Sequence, residues 1–302
     1  MNDNKNNSQK LTIIDSHHHF WDLSMGKHPW LCDRPLINFR YGNYKKICKN
    51  FLVEDFKKVT KKFNVFKTIH MEAEWDPIDP IGEINWLEQL YTKYGLPNAA
   101  VGQIRLHEKN VGKILEKYQK SFLVRSVRQK PNYDDHTKTI VKLSDENFIH
   151  GFKKLEKFNL HYDLQISWKY LSEAAMLAQC NPGITIILNH AGLPSDRSKF
   201  GIKNWKKAIN LFSKYNNTAV KLSGIGVPNQ KWNKESNYVI INSLIEKFGV
   251  DRCMFGSNFP VDSMCASYNE IVYTLLECTK SLTSNDVNKI FYKNALKYYN
   301  PI

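Results

Sequence analysis

A short apolar run followed by a helical stretch recurs eight times along this chain, and that alternation limits its fold more than any other feature. The runs at 11–14, 65–69, 98–106, 122–127, 160–166, 184–188, 218–222 and 253–255 read as buried strands. Between them, 51–62, 81–94, 110–119, 144–158, 171–179, 205–215 and 238–248 carry helical patterns, and two or three helices close the chain. Ser144 is placed to cap one helix, and Asn181-Pro182-Gly183 stops another. Strand then helix, eight times, predicts an α/β chain folded as a (β/α)8 barrel. A doubly wound open sheet shares the alternation. The barrel is favoured because no Gly-rich phosphate fingerprint follows the first strand, and because polar residues punctuate nearly every strand end.

At 302 residues and 42% hydrophobic, the chain suits one large domain over 11–302, with a disordered polar tail at 1–10. The segment 20–50 is too long for a simple connection and reads as an ordered insertion or lid after the first strand. The tail lacks the apolar core of a signal peptide, and no apolar run is long enough to cross a bilayer, so a cytoplasmic location is expected. The six cysteines form no CxxC pair and read as free thiols. A net charge of +14 raises nucleic acid as a partner, but the lysines are scattered in twos along probable helices. Solvated surface charge explains that pattern, so the expected partner is a small molecule, with an oligomer left open.

The first strand runs straight into Asp15-Ser16-His17-His18-His19-Phe20-Trp21-Asp22. Alternation puts His17 and His19 on one face and His18 on the other. In a closed barrel, the strand ends bring Glu72, Arg105, Arg128, Gln165, His190, Ser223 and Asn258 to the same mouth. His17, His19 and His190 make a plausible three-nitrogen metal set. The last strand presents Asn258, whose amide has no basic lone pair and cannot serve as a general base.

These stretches resemble the amidohydrolase superfamily, in its lactonase-like branch of TIM-barrel metal-dependent hydrolases. The motifs that carry the resemblance are 14–22, 70–77, 127–129, 162–165, 188–194, 220–224 and 255–262, in order along nearly the whole chain. The resemblance implies hydrolysis of a sugar lactone or a related carbonyl compound, with a divalent ion such as zinc or manganese in some members and none in others. Relatives that act as metal-dependent decarboxylases give one alternative. A catalytically silent barrel that binds a small anion gives another. The resemblance makes His17 and His19 the HxH pair, His190 the later-strand histidine, and Arg128 a substrate contact. Hydrolytic relatives carry an Asp base where this chain has Asn258.

The remaining candidates have two readings each. Asp262 either caps the next helix or supplies the missing base. Glu72 contacts substrate or activates water, and Glu74 lies on the same face. Gln165 positions the substrate. Lys221 is a carbamate ligand or a polar residue of the barrel. Trp21, Trp75 and Trp168 stack on a sugar ring or pack.

Overall fold

The computed structural model describes residues 11–131, 141–227 and 230–302; the tail at 1–10 lies outside the described residues. Eight parallel strands pair in sequence order: β1 Thr12–His18, β2 Asn64–Met71, β3 Ala99–Gln103, β4 Val124–Arg128, β5 His161–Leu164, β6 Ile186–Leu188, β7 Thr218–Leu222 and β8 Cys253–Phe255. One helix follows each: α1 Val53–Thr60, α2 Pro80–Tyr94, α3 Val111–Gln119, α4 Glu146–Lys157, α5 Leu171–Cys180, α6 Lys199–Phe212, α7 Lys234–Phe248 and α8 Tyr268–Cys278. The order is that of a (β/α)8 barrel.

The barrel closes where β1 runs past the end of β8. The Asn258 N–H donates to the His17 carbonyl at 2.7 Å, and the His19 N–H to the Phe259 carbonyl at 2.7 Å. Asp15 pins the seam: its Oδ1 accepts from the Ser257 N–H at 2.9 Å and its Oδ2 from the Tyr268 hydroxyl at 3.3 Å. Burial pushes the Asp15 carboxyl up to about 6. The lumen is filled by Ile14, Ile69, Met71, Val101, Ile187 and Met254, as close packing in small barrels requires. Tyr299, in the helix Asn294–Tyr299 (α9), joins that cluster.

Three local expectations change. β1 extends through His18, so the first two histidines are part of the strand and not of the loop after it. The cap of α4 is Asp145, which accepts from the Asn147 and Phe148 amides, and not Ser144. The helix expected at 205–215 starts at Lys199, because the Ser198 hydroxyl caps it by accepting from Gly201. The insertion is ordered, with short helices at Leu23–Met25, Pro29–Cys32 and Lys45–Ile47.

Candidate active site

β1 delivers the histidines. A register shift in its pairing with β2 lies between Asp15 and His18. His17 and His19 face each other with ring centroids 5.3 Å apart, while His18 turns away onto Phe20 and Phe56 of the α1 layer. His190 arrives from the end of β6, and its ring lies 4.4 Å from that of His17. The three rings expected to converge are brought together. Burial, then neighbouring positive charge, holds all three well below the usual imidazole range, so they are neutral at pH 7.

Neutrality fixes one tautomer. His19 Nδ1 lies 2.9 Å from the Met71 carbonyl, which only accepts, so Nδ1 carries the proton and Nε2 presents a lone pair. His190 Nδ1 lies 3.1 Å from the Ser223 hydroxyl. Both His17 nitrogens are buried without a protein partner. His190 and Asn258 each hold a left-handed backbone at φ 53°, a strained conformation that accumulates at functional sites. Gly224 makes room for the His190 ring. A Cβ there would fall 2.1 Å from His190 Nδ1, and its own φ is 59°.

Beside His17 across the seam, Asn258 donates through Nδ2 to Asp262 Oδ1 at 2.7 Å. The same oxygen accepts from the Tyr41 hydroxyl at 2.8 Å and stands 3.5 Å from Arg40 Nη2. Oδ2 of Asp262 is buried and takes no side-chain donor. Burial raises the Asp262 pKa, against the opposing pull of Arg40 and the hydrogen bonds from Asn258, Tyr41 and the Gly224 backbone. Asp262 therefore does not cap the next helix. Ser267 caps α8, and the Asp262 carboxylate turns into the site.

Arg128 at the end of β4 is held from three sides. Nε donates to Glu72, Nη2 to the Glu72 carbonyl at 2.7 Å, and Nη1 to Gln165 Oε1 at 3.0 Å. Two expected substrate contacts are consumed by the protein itself. Glu72 has one oxygen on Arg128 and the other on the Glu74 N–H at 2.9 Å. Trp21 donates to the Lys49 carbonyl at 2.7 Å and packs on Trp30 and on the His19 ring, so it supports the site histidine from behind. Gln165 is half-buried at the mouth.

Below this level, Lys221 is a polar residue of the barrel and not a metal ligand. It is fully buried, 2.7 Å from Asp163, which also accepts from Asn189 at 2.8 Å and from the Tyr299 hydroxyl. Burial pulls Lys221 down to about 8, and the Asp163 charge opposes it. Burial works to raise Asp163, but the Lys221 charge and its hydrogen bonds outweigh that and leave it lowered, so the pair is ionised at pH 7.

A divalent ion would find only part of what it needs in this donor set. The His17 nitrogens and His19 Nε2 are the right chemistry for one. Yet β8 adds an amide already bonded to Asp262. Among the described residues, no three His, Cys, Asp or Glu side chains come together so as to hold a metal ion. The set as it stands does not fit a resident metal, which departs from the expectation for His17, His19 and His190.

Sequence reasoning missed Arg40 and Tyr41. They come from the insertion, where no strand end or periodicity marks them; only the expectation of a lid pointed there.

A closed barrel whose polar side chains gather at the carboxyl ends of its strands has the architecture of a TIM-barrel enzyme. The chain belongs to the amidohydrolase family, whose model matches residues 14–300. It is 34% identical over 296 residues to the uncharacterized protein y4mH of Sinorhizobium fredii, covering 96% of this chain and 98% of that one. It is 22% identical over 269 residues to an L-fucono-1,5-lactonase of Burkholderia multivorans, covering 85% of each. An amidohydrolase from Burkholderia multivorans, solved with HEPES and in another crystal form with zinc, superposes with a TM-score of 0.81 in each case. Its two structures are 20% and 19% identical in sequence, over 96% of this chain and 100% of that chain. Among the described residues no helix is long and apolar enough to cross a membrane.

Proposed function

We propose that this protein hydrolyses a small polar lactone, with Asp262 as the general base. The observation that carries the reading is the asymmetry of Asp262: three side-chain donors crowd Oδ1, while Oδ2 is buried and takes none of them. Glu72, the other candidate base, has both oxygens engaged. The name of the lactonase relative points to the same bond.

Asp262 Oδ2 takes a proton from water as the oxygen attacks the lactone carbonyl carbon. The N–H groups of neutral His17 and His190 stabilise the carbonyl oxygen as it becomes negative. His19 does not share that task, because its one proton is committed to Met71; its Nε2 accepts from a substrate hydroxyl or from the water. When the ring C–O bond breaks, the protonated Asp262 returns its proton to the leaving oxygen, giving a hydroxy acid. Arg128 fixes Gln165 Oε1 and leaves the Gln165 amide N–H groups to orient the substrate. No step runs through a metal.

A panel of aldono-lactones, with and without added Zn²⁺ or Mn²⁺, tests this, together with D262N and E72Q. D262N is expected to lower kcat by about 10²–10⁴. The acid limb of kcat/KM is expected above the ordinary carboxylate range, because burial raises the base's pKa. Full activity in D262N, or no turnover under any condition, sinks the reading. Activity that appears only in N258D instead supports a silent, ligand-binding barrel, the reading Asn258 itself favours. Release of CO₂ from unsaturated carboxylates marks a decarboxylase.

A further inference from the structure

The insertion at 20–50 crosses the mouth from one side to the other. After β2, His28 Nδ1 and Trp30 Nε1 both reach the Ala73 carbonyl, at 3.1 and 2.9 Å, and Lys27 pairs with Asp76 at 3.0 Å. After β7 and β8, Arg40 Nη1 donates to the Gly224 carbonyl at 3.0 Å and Lys46 Nζ to the Ser263 carbonyl at 2.7 Å. The insertion is thus a strap tied at both ends, and its far end lands beside Asp262.

Two consecutive residues of that end converge on one oxygen. Arg40 Nη2 donates to the Tyr41 hydroxyl oxygen at 2.6 Å, and that hydroxyl donates on to Asp262 Oδ1 at 2.8 Å. The Arg40 guanidinium also lies 4.3 Å over the Tyr41 ring, which holds it in place. Gly224 closes the circuit, because its carbonyl accepts from Arg40 and its backbone also bonds to Asp262. The same glycine gives the His190 ring its room. The other titratable groups around Asp262 are neutral. Burial holds the Tyr41 hydroxyl well above its usual range and pushes the Cys265 thiol up to about 12, and it keeps His190 uncharged. Among the described residues, Arg40 is the one cation paired with Asp262.

We infer that Arg40 is a positioning residue of the reaction: with Tyr41 it ties Asp262 Oδ1 to the strap, leaves Oδ2 to take the proton from water, and favours the ionised carboxylate that a base requires. The inference deepens the reading of Asp262 as the base and rests on it. Charge-assisted hydrogen bonds on one oxygen hold a carboxylate in one orientation. A displacement of about 1 Å in a reacting group can cost about 10²-fold in rate. The insertion is then part of the catalytic apparatus and not only a cover for it.

The test compares R40Q, R40K and Y41F with K46Q, which cuts another tie of the strap without touching the Asp262 side chain. R40Q is expected to lower kcat by about 10–10² with KM changed by less than about threefold, and R40K to recover part of the loss. The acid limb of kcat/KM should rise by about 1 pH unit in R40Q, because removing an opposite charge from beside a carboxyl raises its pKa. Y41F should move it the same way by less, and K46Q should leave it in place. The inference is overturned if R40Q leaves the limb unmoved, or if K46Q moves it as far, since the effect then belongs to the strap as a whole. Carbon-13 NMR of aspartate-labelled protein follows the Asp262 carboxyl without turnover, its signal assigned by its loss in D262N. An R40Q midpoint about 1 pH unit above the wild type upholds Arg40 as the group that sets this carboxyl, even where no lactone turns over and the hydrolytic reading fails. Equal midpoints overturn it.

Discussion

Two polar layers share the same barrel and follow opposite rules. In the lower one, Asp163, Lys221, Asn189 and Tyr299 are buried and bonded to one another, and Lys221 also lies 4.8 Å over the Tyr299 ring. In the upper one, both His17 nitrogens are equally buried with neither a hydrogen bond nor an ion pair, and Asp262 Oδ2 takes no side-chain donor; Lys221 Nζ below has at least its Asp163 counter-charge. Buried polar groups ordinarily find partners, because an unpaired one costs about 1–3 kcal/mol. The lower layer gathers on Asp163 and is tied upward by Arg128, which donates to Asn189 at 3.4 Å. The open His17 nitrogens lie among the site histidines, where a ligand can pair them, whereas those of His18, equally unpaired, face Phe20 and Phe56.

That contrast is exposed to several failures. The largest effect is expected below. K221M leaves Asp163 buried without its counter-charge and should remove about 3–5 kcal/mol of stability, read by urea unfolding. A loss under about 1 kcal/mol would mean the lower layer is not the scaffold claimed. H17A should do the opposite, lowering kcat by about 10²–10³ if its N–H stabilises the developing oxyanion, with stability almost unchanged. A thermal shift as large as that of K221M would erase the distinction between the layers.

The smallest effect concerns a third buried group, outside both layers. His70 Nδ1 accepts from the Phe20 N–H, and its Nε2 lies 3.2 Å from Glu83 Oε1. Burial holds His70 down to about 3 and pushes Glu83 up to about 8, so both are neutral at pH 7. The folded state therefore keeps a proton that the unfolded chain releases near 4.5. The Glu83 contribution declines as pH rises from there to about 8, but His70, neutral in the fold and protonated below about 6.5 when unfolded, offsets it up to that pH; the net loss therefore falls between about 6.5 and 8, at most about 1.4 kcal/mol per pH unit. E83Q mimics the protonated acid and should flatten that decline. An unchanged slope would show that Glu83 is ionised in the fold.

How much of this was legible in the sequence follows from what kind of information each feature needs. Eight strands and their order were readable because buried strands must be apolar and their ends polar. Convergence of His17, His19, His190, Arg128 and Asn258 followed from that topology alone. Partner choice did not. Glu72 and Gln165 look alike as mouth residues, yet Arg128 takes up both Glu72 and one side of Gln165. Asp262 reads as a helix cap in Pro260-Val261-Asp262 until Ser267 is seen to hold that role. Arg40 and Tyr41 come from an insertion, where neither alternation nor spacing distinguishes a site residue from a surface one.

The seam between β1 and β8 also bears on the order of folding. Seven of the strand pairings join neighbours in sequence, but the bonds from Asp15 and Ser16 to Ser257 and Phe255 span 242 and 239 residues. Contacts that distant form slowly, because a long loop must close before they contribute. His17 and His19 stand on one side of that seam and Asn258 and Asp262 on the other. An open half-barrel, however well formed, would hold His17 on one edge and Asp262 on the other, so assembly of the site and ring closure should arrive in the same kinetic event.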